Sequence, residues 1–293
     1  MNNSNFPAWH NGKFCLVKDL NINIQDFGLL RSDGVYEVIA IRDSRMLVID
    51  KHIERFINGC KHYYININYN SQQLINVIQE LYHRVDINDV QIWLVATRGI
   101  PDSYAFNDVV NSKSQIMLMT SKYHMVNNGL PLSLTIARTV RRIPDWAIDQ
   151  RYKNFARQDF TKATSEAVMR KFNFALLLDE NNYITEGSQF SVAIIKNNNV
   201  YAPARNKLAG ITMTVIEQLC KENNINFYYS DIDEERLNQA DDMFATTTAG
   251  GIISISCVDN KIFTASELQN RLKTLYQNSW KQDQYSMELH KQL

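Results

Sequence analysis

The stretch RRIPDWAIDQRYKNF, Arg141 to Phe155, decides how the chain is read, and Lys153 is its key residue. Most lysines of a folded protein are solvated surface charges. Lys153 differs in its setting. It follows an apolar, aromatic run (Ile143, Pro144, Trp146, Ile148, Tyr152), has Phe155 two residues on, and precedes a helical pattern. An ammonium among apolar groups loses hydration, which favours the neutral amine. A neutral amine attacks carbonyl carbon, the chemistry of Schiff-base lysines. The segment alone still favours an ordinary solvated lysine; the rest of the chain shifts the choice.

Composition sets the frame. A chain of 293 residues can bury a substantial core. Lysine plus arginine equals aspartate plus glutamate, 31 each, so no basic field draws nucleic acid or membrane. The start MNNSNFPAWHNG lacks the basic beginning and apolar run of a secretion signal, and no segment nears membrane-spanning length. Cys15, Cys60, Cys220 and Cys257 are scattered and read as reduced thiols of a cytoplasmic protein. The six histidines show no His-Glu-x-x-His spacing, so no metal site is expected. Neither a dinucleotide glycine fingerprint, a P-loop nor a Gly-x-Ser-x-Gly elbow is present.

Outward from the lysine, periodicity places the elements. Asn11-Gly12 predicts a hairpin, and residues 42–44 a second one between β-rich runs at 35–41 and 45–49. Asp50 is expected to cap a helix striped by Ile53, Phe56, Ile57, Cys60 and Tyr64, with Arg55 off the stripe. A helix begins at Ser71, and strands cover 91–97 and 116–120. Asn127-Asn128-Gly129 marks residues 122–130 as an interdomain linker. Beyond it come a strand (132–138), a helix (159–172), strands (174–178, 191–195), a helix from Ile211, and strands (242–246, 252–255). This irregular interleaving argues for an α+β fold. The expected division is a small N-terminal α+β domain (1–121) and a larger C-terminal domain (131–293) carrying Lys153.

Four motifs follow one another in order: Lys153-Asn154, Thr185-Glu186-Gly187-Ser188, Leu208-Ala209-Gly210-Ile211-Thr212 and Thr246-Thr247-Thr248-Ala249-Gly250-Gly251. With DFGLLRSDGVYEV and HIERF upstream, they resemble the class IV (fold type IV) aminotransferases, enzymes that use pyridoxal 5′-phosphate (PLP). The resemblance covers about residues 8–265. Its motifs are closest to D-amino-acid and branched-chain-like aminotransferases and to (R)-selective amine transaminases.

The resemblance implies two α+β domains of the D-amino-acid aminotransferase type with the cofactor between them, and a homodimer. Lys153 would bind the PLP aldehyde and then shuttle a proton as general base and acid. Glu186, otherwise an exposed turn carboxylate, would hold the pyridine nitrogen protonated. Gly210, Ile211 and Thr212 open a helix whose free N–H groups suit a phosphate dianion. Thr247, Thr248, Ser191 and Arg55 would complete the cofactor contacts. Two positions depart from the family pattern: Ser191 replaces an asparagine, and Met213 replaces the arginine after Gly-Ile-Thr.

Substrate contacts are less specified. D-amino-acid transaminases place an Arg-x-His after Thr-Arg-Gly to trap a carboxylate; here Thr97-Arg98-Gly99 leads into Ile100-Pro101-Asp102-Ser103-Tyr104, so that trap is missing. Arg31, Arg98, Tyr36 and Ala249 are the expected substrate contacts, with Arg31 a replacement carboxylate partner. The expected reaction is ping-pong transfer from an amino acid or amine to a 2-oxo acid. A lyase of the aminodeoxychorismate type, or a PLP-binding homologue without turnover, are the alternatives.

Overall fold

Asn11 and Gly12 take left-handed angles (φ 45° and 91°) between β1 (Pro7–His10) and β2 (Lys13–Leu16), the twist that a two-residue hairpin requires. In this computed structural model, which describes residues 3–101 and 109–289, the chain packs as two compact units. The first is Met1–Tyr123 with Tyr152–Ala156 and Trp280–Leu293; the second is His124–Arg151 with Arg157–Ser279. Asp102, Ser103 and Tyr104 lie outside the described residues.

In the first unit the short helix α1 (Phe27–Leu30) is capped by the Asp26 carboxylate, which accepts from the Gly28 N–H at 2.7 Å. A turn at Asp43 and Ser44 (φ 47° and 58°) joins β3 (Gly34–Arg42) to β4 (Arg45–Leu47). Helix α2 (Ile49–His62) starts two residues earlier than expected: left-handed Val48 is its cap, and Asp50 lies in its first turn, where its charge suits the dipole. Ile53, Phe56 and Cys60 are buried as the stripe requires. Tyr64 falls past the helix end and is exposed. Asn70 and Gln73 form a capping box for α3 (Ser71–His83). With β5 (Val90–Ile100) and β6 (Lys113–Lys122), the sheet runs β4-β3-β5-β6-β1-β2, antiparallel throughout. Ile39, Ile92 and Leu94 from the sheet and Phe56, Leu74 and Ile78 from the helices share one core. Each such side chain contributes about 1.5–3 kcal/mol on burial.

The second unit contains β7 (Leu132–Ile136), α4 (Gln158–Met169), β8 (Phe174–Leu178), β9 (Ile184–Gly187), β10 (Ser191–Lys196), β11 (Asn199–Pro203) and α5 (Ile211–Glu222). It continues through β12 (Phe227–Ser230), α6 (Glu234–Asn238), β13 (Asp242–Thr247), β14 (Gly251–Val258), β15 (Lys261–Ile262) and α7 (Glu267–Ser279). Strand pairing follows β10-β13-β14-β7-β8-β9, and β9 returns to β10 at one position, Glu186 opposite Ser191. That single pair closes the strands into a ring. Two expected site residues therefore sit at the seam.

The expected division of the chain differs from this packing in two ways. Residues 124–130 are not a free linker, because the Val126 N–H donates to the Ala249 carbonyl and folds them onto the second unit. Residues 131–293 do not form one body either. Asn154 bridges Val35, and the last strand, β16 (Ser286–Glu288), pairs with β4. Lys153 thus packs with the N-terminal unit. The α+β class itself is the one expected.

Candidate active site

In the first unit the backbone of the lysine segment is hydrogen-bonded along β3. The Tyr36 N–H donates to the Lys153 carbonyl at 2.8 Å, and the Phe155 N–H donates to the Gly34 carbonyl at 3.0 Å. Gly34 is required here, since a Cβ would stand 2.7 Å from the Phe155 ring. Extended backbone at 153–155 fixes the direction of the lysine side chain. Lys153 is half-buried, with Nζ 4.9 Å from the centroid of the Tyr36 ring, which itself stacks on Trp93. Tyr36 thus lies beside the lysine.

The next strand residue, Glu37, points away from Tyr36 and is buried. Its Oε1 accepts from Arg55 Nε at 2.6 Å; its Oε2 accepts from Arg55 Nη2 at 2.8 Å and from His52 Nδ1 at 3.0 Å. Burial alone would raise the Glu37 carboxyl, but the Arg55 charge and these donors overcome it and hold it at about 2. Burial lowers His52, against the pull of Glu37 and with help from the charges of Arg55 and Lys153. Arg55, expected among the phosphate donors, is here half of a buried ion pair with Glu37. Sequence reasoning misses Glu37 and His52, although a lone carboxylate inside an apolar strand and a His-x-x-Arg helical spacing are visible signals.

In the second unit Glu186 is strand, not turn, and is 3% exposed. Its Oε1 accepts from Arg142 Nε at 3.2 Å and from the Leu208 N–H at 3.0 Å. Its Oε2 has no donor among the described residues. Lys207 lies nearby; burial pushes its ammonium down while Glu186, Asp145 and Glu217 oppose the shift. Ser191 is the cross-strand neighbour of both Glu186 and Thr246, so the three side chains share one face.

Gly210 caps α5 without any side-chain cap, leaving the first N–H groups of that helix without intrahelical acceptors. A Cβ at Gly210 would come 2.7 Å from Ser191 Oγ, so glycine keeps this approach open. The hydroxyls of Ser191, Thr212 and Thr248 have no hydrogen-bond partner among the described residues, and the Thr246 hydroxyl is buried without one. Thr247 differs, since its hydroxyl accepts from the Ala249 N–H at 3.3 Å. Ile211 contributes backbone and a buried side chain. Met213 is buried too, so the position where the family has arginine is apolar packing here.

Two substrate expectations change. Arg98 is buried and engaged: it grips Asp33 through Nε and Nη2 (2.8 and 3.1 Å) and donates to the carbonyls of Tyr63 and Tyr64. Its charge serves the loop before β3, as a strand arginine usually does. Arg31 caps the end of α1 with its guanidinium 4.2 Å from the Phe27 ring, and its apolar neighbours Leu29 and Leu30 are exposed rather than walls of a pocket.

Each unit, taken by itself, carries donors whose chemistry suits part of PLP: in the first an amine paired by its backbone to β3, in the second a buried carboxylate with one uncommitted oxygen and an uncapped helix start ringed by hydroxyls. Residues 34–258 match the family described as amino-transferase class IV, and the chain belongs to it. It is a PLP-dependent transaminase of that class.

A putative branched-chain-amino-acid aminotransferase of Methanocaldococcus jannaschii is 26% identical over 273 residues, covering 92% of this chain and 94% of the relative. A D-alanine aminotransferase of Staphylococcus haemolyticus is 26% identical over 255 residues, covering 86% and 88%. Among solved structures, the branched-chain aminotransferase of Thermoproteus uzoniensis with norvaline superposes with a TM-score of 0.92 at 17% identity, over 97% of this chain and 99% of that one. A T.th. branched-chain amino acid aminotransferase complexed with N-(5′-phosphopyridoxyl)-L-glutamate gives 0.89 at 21%, over 97% and 99%. These structures establish the fold.

Proposed function

We propose that the chain transfers an amino group from an amino acid to a 2-oxo acid in a ping-pong cycle, with Lys153 as the covalent anchor and proton carrier. Bound PLP supplies the electron sink for the substrate α-carbon. Lys153 Nζ would hold the aldehyde and, when free, would serve as the base and acid that moves the substrate α-proton. The Tyr36 ring beside Nζ limits where the amine can swing. Glu186 Oε2 would hold the ring nitrogen and keep it protonated. In the second unit the α5 N–H groups with Thr212, Ser191, Thr247 and Thr248 would hold the phosphate; Arg55, fixed by Glu37 in the first unit, is kept as a candidate donor of charge. The observation that carries this reading is the buried Glu186 with one oxygen engaged and the other uncommitted.

The relatives' names, one branched-chain and one D-alanine aminotransferase, make an amino acid with a small or apolar side chain the donor. The Tyr36–Trp93 stack beside Lys153 supports that choice. Arg31 and Ala249 are assigned to the substrate carboxylate. A homodimer accounts for the exposed Ile24, Leu29 and Leu30 around Arg31, which would then serve the partner's substrate. The four free thiols suit a cytoplasmic location. A panel of D- and L-amino acids with 2-oxo acid acceptors tests the reading. Transfer is expected, reduced by a factor on the order of 10²–10⁴ or more in Lys153→Ala. PLP-loaded protein that transfers from no donor to any acceptor overturns it.

A further inference from the structure

We infer that Arg142 is the positioning residue that aims Glu186, an inference resting on the reading of Glu186 given above. Arg142 is 2% exposed, deeper than most arginines of any fold. Its Nε and Nη2 both lie 3.2 Å from Glu186 Oε1, and the Leu208 N–H reaches the same oxygen at 3.0 Å. Two donors and the Nη2 charge therefore converge on Oε1, while Oε2 meets no donor among the described residues. A carboxylate held this way offers a ligand one oxygen in one direction.

The guanidinium is itself locked. Nη1 donates to Asp159 Oδ2 at 2.5 Å, Nη2 donates to Gln150 Oε1 at 2.5 Å, and the Phe160 ring covers its face at 4.2 Å. Asp159 is fixed in turn by the N–H groups of Ile143 (3.2 Å) and Phe160 (2.8 Å). Each partner adds a constraint that a lone surface arginine lacks. Gln150 and Asp159 also bracket, along the chain, residues 151–158, the stretch that carries Lys153. One planar cation thus holds Gln150, Asp159 and the Glu186 oxygen together. Lysine could not substitute, because a single ammonium cannot hold three partners in one plane.

The test compares PLP with an analogue whose ring nitrogen is replaced by C–H, measuring the dissociation constant of each for the full chain. The covalent link and the phosphate are common to both ligands and cancel in the ratio. Wild-type protein is expected to prefer PLP by about tenfold or more, the size of a charge-assisted hydrogen bond. Glu186→Met should bring the ratio near one. Arg142→Met should lower it to about threefold or less, since Oε2 is no longer aimed. Removing Arg142 strands Asp159, so the double variant Arg142→Met/Asp159→Asn is measured beside it, with thermal unfolding to confirm that each variant is folded; the same fall in ratio is expected. If Arg142→Met and the double variant weaken both ligands equally and keep the wild-type ratio, Arg142 is only a packing residue and the inference falls while Glu186 keeps its role. If wild-type protein shows a ratio near one, the assignment of Glu186 fails and takes this inference with it.

Discussion

Two buried carboxylates invite comparison. Glu37 in the first unit has both oxygens engaged, by Arg55 and His52. Glu186 in the second has one oxygen crowded by Arg142 and Leu208 and the other uncommitted. Similar burial, within a few per cent, conceals opposite roles. The first network is closed and holds a helix against a strand; the second is open on one side and offers that side to a ligand. A buried acid is thus informative less for its depth than for how many of its lone pairs remain without donors.

The largest effect that would sharpen the contrast comes from neutralising each acid. Glu37→Gln leaves the Arg55 guanidinium without its counter-charge and should cost about 3–5 kcal/mol. Glu186→Gln keeps an acceptor for Arg142, which also has Asp159, and should cost about 1–2 kcal/mol. Urea unfolding of both variants decides; equal losses would erase the distinction between closed and open networks.

A smaller effect lies in the pH dependence of the closed network. His52 is lowered, so the folded protein keeps it neutral while the unfolded chain takes up the proton below pH about 6.5. The unfolded state then binds more protons, and stability falls as pH drops through that window. Glu37 is held at about 2, below its ordinary value, so its contribution is complete above the usual carboxylate range and is lost only as pH falls toward 2. Thermal midpoints of the cofactor-free protein from pH 8 to 4 should decline from near neutrality. His52→Gln should flatten the upper part of that decline, and an unchanged slope would remove His52 from the account.

The smallest effect tests the open side. Gly210→Ala replaces a good cap residue with a poor one and sets a methyl 2.7 Å from Ser191 Oγ. A loss of about 0.5–1 kcal/mol is expected. Ser191→Ala in that background should recover part of it in thermal unfolding; no recovery would mean that the two positions do not compete for the same space.

What the sequence reveals follows the same division. Lys153, Glu186, Gly210 and Thr212 become candidates because the family resemblance falls on local motifs: a lysine in an aromatic run, a polar stretch between strands, a glycine before a helix. Arg142, Gln150 and Asp159 stand in or next to the same quoted stretch without acquiring a role, since their meaning comes from converging on one guanidinium. The Leu208 donor is backbone and has no sequence signature at all. Helix α7 escapes a periodicity reading because its inward face includes Gln269 and Ser279, which break the apolar stripe. Strand β9 reads as a turn for a related reason: Thr185 and Glu186 are polar yet buried, their polarity answered by the Leu177 carbonyl and by Arg142. The packing of Tyr152–Ala156 with the N-terminal unit rests on pairing with β3, a long-range contact that no local pattern announces.

The central claim is that Lys153 is the amine bonded to PLP. Borohydride reduction of the PLP-loaded protein, followed by peptide mass mapping, tests it directly. A fixed phosphopyridoxyl group is predicted on the peptide containing Lys153 and on no other. A label on the peptide with Lys207, the half-buried lysine whose ammonium is pushed down by burial, or on no peptide at all, would contradict it.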